Sequence, residues 1–261
     1  MQARIFQIDA FTTKRFAGNP AAVILFESFP PDDVMQAIAD ENNLAETAFL
    51  VPEARDYRLR WFTPKIEVPL CGHATLASAA AVMERLEPSR REVVFHSASG
   101  LLPVKRTATG YVMDFPIRPS TRIELPCGLD RALGAKPVEV YGNAFNVMAL
   151  LQDETTVRAL APDMDAIAAI DTPGVIVTAR GSEPYDIVSR YFAPKKGIPE
   201  DPVTGGAHTM LIPYWAATLG KTELLAFQAS RRGGEIRCRL AGERVMLEGS
   251  CVFYLEGHVD I

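Results

Sequence analysis

The sequence lacks the features that define membrane-spanning, secreted and nucleic-acid-binding proteins. Its longest mostly apolar run, Ala74 to Met83, is far shorter than the roughly 20 residues that cross a bilayer, so no membrane partner is expected. The first residues show no signal-peptide pattern. The net charge is −5, and basic residues form no cluster larger than short pairs such as Arg90-Arg91 and Arg231-Arg232. Nucleic-acid binding needs a concentrated cationic surface, so it is not expected either.

Cysteine is scarce, and the common cofactor motifs are missing. The four cysteines are scattered, a pattern that favours free thiols in the reducing cytoplasm: Cys71, Cys127, Cys238 and Cys251. The chain has no glycine-rich dinucleotide motif, phosphate-binding loop, serine-hydrolase elbow or zinc-protease motif. Cys71 and His73, taken with His208, lack a recognisable metal-ligand spacing. We therefore expect neither a cofactor nor a metal.

An internal repeat indicates two halves. The chain has 261 residues, 48% of them hydrophobic, enough for one large or two modest domains. Residues 60–75 and 190–209 each pass from an aromatic strand through a proline-containing turn into a helix that starts with glycine. Residues 142–148 also echo 18–24, at an offset of 142 − 18 = 124. We predict an N-terminal half of residues 1–118 and a C-terminal half of 119–261, with a last strand that is able to return to the first half.

The predicted fold class is α+β. Residues 75–86 and 207–219 have helical composition but no polar face, which is typical of buried helices. The many short strands around them predict that each half is a curved sheet wrapped around one apolar helix. A further helix is expected over residues 31–43, where Asp32 and Asp33 suit the positive end of the helix dipole.

Glycines at the two repeated helix starts point to anion binding. The first turn of a helix leaves backbone N–H groups unpaired, and the helix dipole attracts carboxylate or phosphate there. Gly72 in the first half, and Gly205 and Gly206 in the second, would let a ligand approach the backbone closely. Two such helix starts facing one cleft would hold a carboxylate from both sides. The alternative is that these glycines only serve tight turns.

Three titratable residues are candidates for the chemistry. Glu46 lies among apolar residues between a helix end and a strand, a setting that suits a proton-transferring carboxyl group. Composition alone favours the alternative, an ordinary surface glutamate at a helix–strand junction. His73 and Asp201 stand at the two helix starts, although Asp201 would also suit an Asx-Pro turn. His208, one turn into its helix, is expected in the core or in a supporting position. Cys71 has no cysteine counterpart in the second half, so paired-thiol chemistry is not supported.

Four motifs together resemble the PhzF-like isomerase family of phenazine biosynthesis. They occur in the family's order along the full chain: residues 16–23, residues 43–49, residues 70–75 and residues 200–208. The resemblance implies a diaminopimelate-epimerase-like fold of two pseudo-symmetric halves, each a barrel-like, mostly antiparallel sheet around a central helix. It also implies a site in the cleft between the halves, a homodimer, and catalysis without cofactor or metal.

The resemblance also assigns roles by motif. Glu46 matches the acid/base that takes a proton from carbon and returns it, and His73 and Asp201 match residues that hold the substrate and organise the transfer. By the same resemblance, the substrate-binding positions are Asn19, Gly72, Gly205 and Gly206. The type enzyme, which acts on trans-2,3-dihydro-3-hydroxyanthranilate, has serine where this chain has Gly206, so that substrate is in doubt. An epimerase using Cys71 and a non-catalytic protein that binds small acids remain alternatives.

Overall fold

The computed structural model of the chain describes residues 2–261 and divides into two compact units. Unit 1 comprises the residues up to Asp114 together with Glu248–Ile261, and unit 2 comprises Phe115–Leu247. Within residues 2–261, no helix combines the length and the apolar character that a bilayer crossing requires.

The first elements along the chain alternate short strands with two helices. They are β1 (Gln2–Ala10), β2 (Asn19–Leu25), α1 (Asp32–Asn42), β3 (Glu46–Glu53), β4 (Asp56–Phe62), β5 (Glu67–Val68), α2 (Gly72–Ala81), β6 (Glu92–Ser97), β7 (Gly100–Arg106) and β8 (Tyr111–Pro116). The remaining elements are β9 (Thr121–Arg122), α3 (Leu129–Leu133), β10 (Glu139–Gly142), β11 (Val147–Leu150), α4 (Glu154–Ala159), α5 (Met164–Ala169), β12 (Val175–Arg180), β13 (Ile187–Ala193), β14 (Ile198–Glu200), α6 (Gly205–Leu219), β15 (Glu223–Gln228), β16 (Gly234–Ala241), β17 (Arg244–Gly249) and β18 (Cys251–Asp260).

In unit 1 the strands pair in the order β18–β1–β2–β3–β4–β6–β7–β8. The β2–β3 and β4–β6 pairs are parallel and the others are antiparallel. On one face of this sheet, α1 covers an apolar cluster that includes Met35 and Phe49. Strand β18 is made from the far end of the sequence, yet it completes this sheet beside β1.

Helix α2 packs on β1, β2 and β3 with almost all of its side chains buried. This confirms the prediction of a buried apolar helix, but its bounds differ from 75–86. The helix begins at Gly72 because the carbonyl of Cys71 already accepts the Thr75 N–H, at 3.2 Å, and the Thr75 hydroxyl, at 2.6 Å. It ends at Ala81, after which Val82–Leu86 form a wider π-helical turn.

In unit 2 the strands pair in the order β9–β10–β11–β12–β13–β15–β16, with β11–β12 and β13–β15 parallel. Helix α6 contacts β15 and β16 and is buried along most of its length. It ends at Gly220, which has φ +65°, as the sequence predicts. Helices α3, α4 and α5, which the sequence pattern does not predict, contribute to a core on unit 2's sheet.

Candidate active site

The candidate residues of unit 1 stand at the first positions of neighbouring elements. Asn19 begins β2 and Glu46 begins β3. These strands are parallel, with Ala21 opposite Glu46, so both starts lie at the same edge of the sheet. Helix α2, which starts at Gly72, packs on the same two strands. Strand pairing and helix packing therefore bring together side chains that are 27 to 54 residues apart.

Glu46 and His73 form the central contact of this site. Glu46 Oε2 lies 3.2 Å from His73 Nε2, and the two side chains are 12% and 4% exposed. The distance is that of a hydrogen bond, although the two groups are not aligned for one. The carboxyl group thus retains a narrow access to solvent, while its partner imidazole is enclosed by protein.

Asn19 fixes the orientation and the tautomer of His73. Its amide Nδ2 lies 3.0 Å from His73 Nδ1, and Cys71 Sγ lies 3.5 Å from the same ring nitrogen. An amide nitrogen only donates, so Nδ1 accepts and the ring proton resides on Nε2, the nitrogen that faces Glu46. Burial lowers the pKa of His73 to about 3 and outweighs the opposing effect of the Pro20 backbone carbonyl, which favours the charged ring. His73 is therefore a neutral hydrogen-bond donor near neutral pH.

Glu46, Cys71 and His73 also offer three metal-ligating atoms within 4.8 Å of one another. Cys71 Sγ approaches Nδ1 of the ring, and Glu46 Oε2 approaches Nε2. Because an imidazole binds one ion through one ring nitrogen, an ion here would keep only one of these two close contacts in its coordination shell.

In unit 2 a bracket of hydrogen bonds holds the segment before α6. The Thr204 hydroxyl donates to Asp201 Oδ2 at 2.6 Å. The buried Gln228 amide donates to the Asp201 carbonyl at 2.7 Å and to Thr204 Oγ1 at 3.1 Å, and its oxygen accepts the Thr204 N–H at 2.8 Å. Asp201 and the first turn of α6 are therefore held in one fixed arrangement.

The two glycines at the start of α6 have different surroundings. Gly205 is buried, whereas Gly206 is exposed. A Cβ atom at position 206 would meet no atom within 4 Å. The position therefore has room for the serine of the type enzyme, and its absence leaves the start of the helix open.

His208 lies in the core of unit 2, one turn into α6. It is fully buried, and its Nδ1 lies 2.8 Å from the Thr204 carbonyl. Burial lowers the pKa of His208 to about 4. The contact with Thr204 ties His208 to the residue that precedes α6. It agrees with the core or supporting role expected from the sequence.

The structure thus groups Asn19, Glu46, Gly72 and His73 with Cys71 in unit 1, and it groups Asp201, Gly205 and Gly206 in unit 2. Sequence reasoning missed the bond from Asn19 to His73 and the bracket made by Gln228. A lone glutamine within the otherwise apolar segment 224–229 was the one local sign of that bracket.

Comparison with known proteins identifies the family. The phenazine biosynthesis-like protein family, PhzC-PhzF, matches residues 8–257. The chain belongs to this family. An uncharacterized isomerase of Pseudomonas aeruginosa is 48% identical over 261 residues, with 100% of both chains covered. A phenazine biosynthesis-like domain-containing protein of Mus musculus is 40% identical, covering 98% of this chain and 99% of the relative.

Solved structures agree with the PhzF family assignment. A PhzF family protein from Enterococcus faecalis has a TM-score of 0.96 at 44% identity, with 100% of each chain covered. The same fold extends to a probable proline racemase from Agrobacterium radiobacter, at a TM-score of 0.64 and 12% identity over 99% of this chain and 92% of the other. The predicted α+β, epimerase-like fold is confirmed.

Proposed function

We propose that this protein is an isomerase that moves a proton from one atom to another within a small carboxylate-bearing metabolite, without a cofactor. The observation that carries the proposal is the 3.2 Å contact between Glu46 Oε2 and the proton-bearing Nε2 of His73. The contact places the slightly exposed Glu46 carboxyl group beside the neutral donor His73. A carboxyl group with such a donor is the smallest arrangement that can accept a proton from a substrate and then return it. The names of the relatives, which include isomerases, support the reaction class.

In the proposed reaction, Glu46 as carboxylate removes a proton from a carbon next to a carbonyl or unsaturated group. The electrons of the C–H bond enter the adjacent π-system, and the protonated Glu46 then delivers the proton to a different carbon. Acid–base help of this kind is typically worth about a hundred- to ten-thousand-fold. In the reaction the His73 Nε2–H, 3.2 Å from the Glu46 carboxyl group, turns toward the carboxylate form and donates to it, while His73 itself stays neutral.

The second part of the proposal concerns how the substrate is held. The start of α2 at Gly72 and the start of α6 at Gly205 and Gly206 supply backbone N–H groups for the substrate carboxylate and for charge that develops on it. Asp201, fixed by Thr204 and Gln228, positions an amino or hydroxyl group of the substrate. The sequence repeat is the reason for proposing that both halves serve one substrate in a cleft between them.

The test is a solvent-exchange screen by NMR against small unsaturated amino and hydroxy acids in deuterated water. The wild-type protein should exchange a carbon-bound hydrogen of at least one acid and shift its position. Glu46→Gln should bind that acid without exchanging it. Glu53→Gln, which changes a half-exposed glutamate at the other end of the same strand, is the matched control and should retain full activity. Exchange by Glu46→Gln at the wild-type rate would end the proposal.

One contact keeps the epimerase alternative open, because Cys71 Sγ lies 3.5 Å from His73 Nδ1. The corresponding residue before α6 is Thr204, so a pair of thiols is not available. A Cys71→Ser variant separates the two mechanisms. An enzyme that relies on Glu46 retains most of its exchange activity, whereas a thiol-dependent epimerase loses it. A protein that binds acids but exchanges none of them would instead be the non-catalytic alternative.

Two further proposals concern the setting of the protein. We propose a homodimer, because the family resemblance implies one, and a cytoplasmic location, because no disulfide joins the four cysteines within residues 2–261. Light scattering during size-exclusion chromatography would measure the mass of the assembly. A particle with the 28.6 kDa mass of one chain would reject the dimer.

A further inference from the structure

Arg118, in the segment between β8 and β9, is a partly buried cation that stacks on an aromatic ring. Its guanidinium carbon lies 4.0 Å from the centroid of the Phe145 ring. Within residues 2–261, no carboxylate lies at ion-pair distance from this guanidinium. Arg118 is partly buried, and this burial lowers the pKa of its guanidinium group.

Two other partly buried arginines of this protein pair with carboxylates through two hydrogen bonds each. Arg60 makes two hydrogen bonds, each of 2.7 Å, with Glu67. Arg190 makes two with Glu200, at 2.7 and 3.0 Å. A desolvated charge without a partner costs free energy. Stacking on an aromatic ring satisfies the face of a guanidinium but leaves the N–H groups at its edge directed outward, in the geometry that binds a carboxylate with two parallel hydrogen bonds.

The backbone of Arg118 is attached to the first turns of α6. Its N–H donates to the Thr209 carbonyl at 2.9 Å, and the Thr209 hydroxyl donates to the Gly206 carbonyl at 2.8 Å. The Asn143 amide donates to the Arg118 and Pro119 carbonyls, both at 3.2 Å. The cation is therefore carried by a backbone that is fixed beside the helix start, rather than by a free surface loop.

The Tyr191 hydroxyl relates Arg118 to Asp201. Burial raises the pKa of Tyr191, the Asp201 carboxylate raises it further, and the Arg118 guanidinium acts in the opposite direction. Both charges therefore lie within electrostatic reach of one hydroxyl group. The Asp201 N–H also donates to the Tyr191 carbonyl at 3.0 Å. Arg118 and Asp201 thus belong to the same region of unit 2.

We propose that Arg118 is a further substrate-binding residue, whose guanidinium pairs with a planar carboxylate of the substrate beside the start of α6. The assignment rests on the proposed function for the presence of a substrate, and it deepens that function by naming the group that recognises the acid. Asp201 and Arg118 then offer opposite charges to one molecule, which favours an acid that also carries an amino or hydroxyl group.

The test compares acids with their uncharged amides in the Glu46→Gln background, where binding does not depend on turnover. The probes are benzoate, anthranilate and succinate, with benzamide, anthranilamide and succinamide as matched neutral analogues. Affinities are measured by ligand-detected NMR and calorimetry for the parent, Arg118→Gln, Arg118→Lys and Arg131→Gln. Arg131 is an exposed arginine of α3 and serves as the control for loss of one positive charge.

At least one acid should bind the parent, and Arg118→Gln should weaken it about ten- to a hundredfold while leaving the amides unchanged. Arg118→Lys should recover part of the affinity, because it restores the charge without the planar fork. Arg131→Gln should match the parent. Equal affinities of parent and Arg118→Gln for every acid, including no binding by either, would reject the assignment. Proton exchange by the wild-type enzyme is measured separately, so failure of the proposed function would be recognised on its own.

Discussion

The amide nitrogen of Asn19 lies 3.0 Å from Nδ1 of His73, and this single contact decides which ring nitrogen faces Glu46 with a proton. The sequence resemblance places Asn19 among substrate-binding residues. The geometry favours a positioning role instead, since Asn19 is fully buried and acts through His73. Its contribution to catalysis should therefore appear in turnover rather than in substrate affinity.

Replacing Asn19 by aspartate tests this relationship. A carboxylate only accepts hydrogen bonds, so it should draw the ring proton to Nδ1 and leave a bare Nε2 opposite the Glu46 carboxylate. We expect kcat to fall about a hundredfold or more with little change in KM. Nitrogen-15 NMR of the imidazole would show the tautomer directly. An Asn19→Asp variant whose ring proton stays on Nε2, or whose kcat is unchanged, would contradict the role given to Asn19.

A serine at Gly206 should be accepted without loss of stability. The position is exposed, and an added Cβ would meet no atom within 4 Å. The free energy of unfolding of Gly206→Ser should stay within about 0.5 kcal/mol of the wild type in urea titrations. The new hydroxyl group should increase turnover of trans-2,3-dihydro-3-hydroxyanthranilate, the substrate of the type enzyme, which has serine at this position. Unchanged turnover would show that the missing hydroxyl group is not what excludes this substrate.

Gly220, at the other end of α6, is the matched control for this substitution. It adopts φ +65°, a conformation that serine adopts at a cost. Gly220→Ser should lower the free energy of unfolding by about 1 kcal/mol. Destabilisation of both variants by the same amount would show that position 206 is more constrained than its open surroundings imply.

Removing the Gln228 bracket should loosen the segment that carries Asp201. Gln228→Met keeps the side-chain volume but loses three hydrogen bonds with Asp201 and Thr204. The loss should cost about 2–4 kcal/mol, because buried backbone and hydroxyl groups lose their partners. Gln36→Met in α1, which loses one bond to the Thr63 carbonyl, should cost no more than about 1.5 kcal/mol. A milder effect at position 228 than at position 36 would refute the bracket.

Stability should decrease on acidification because of two buried histidines. Burial lowers the pKa of His73 to about 3 and of His208 to about 4, from the ordinary value of 6.5. Between these values and 6.5 the unfolded chain binds protons that the folded chain does not, so the free energy of unfolding falls with pH in that window. From about pH 7.5 to about pH 5, each histidine should contribute a loss on the order of 2 kcal/mol.

The variant His208→Asn isolates one of these contributions. Its amide can take over the donation from Nδ1 to the Thr204 carbonyl without introducing a titrating group. Urea titrations at both pH values should show a smaller pH-dependent loss in this variant. The exposed His258→Asn should behave as wild type. An unchanged pH dependence in His208→Asn would mean that His208 takes up its second proton as readily in the folded protein as in the unfolded chain.

Elements with local signals are predictable from the sequence. Helix α1 is expected over 31–43 and forms over Asp32–Asn42, where Asn43 ends it in the left-handed conformation at φ 47°. Helices α4 and α5 escape prediction although Asp153 and Asp163 cap them, because six residues carry too little periodic pattern to stand out. The π-helical turn after Ala81 has no sequence signature that we recognise.

The candidate site is predictable in its residue types but not in its contacts. Glu46 stands out because apolar neighbours surround it in sequence, and His73 stands out because it follows a glycine at a helix start. The bond between Asn19 and His73 joins positions 54 residues apart. It depends on how β2 and α2 pack, and no local pattern encodes that. The same holds for Arg118, whose stacking on Phe145 joins positions 27 residues apart and has no local pattern in the sequence.

Strand β1 pairs along its whole length with β18, and translation separates the two by 251 − 10 = 241 residues. The ribosome therefore synthesises β1 long before β18. The edge of β1 that pairs with β18 stays unpaired until the whole of unit 2 has been synthesised. Because contacts of such wide sequence separation form slowly, closure of unit 1 should be a late event in the maturation of the newly made chain.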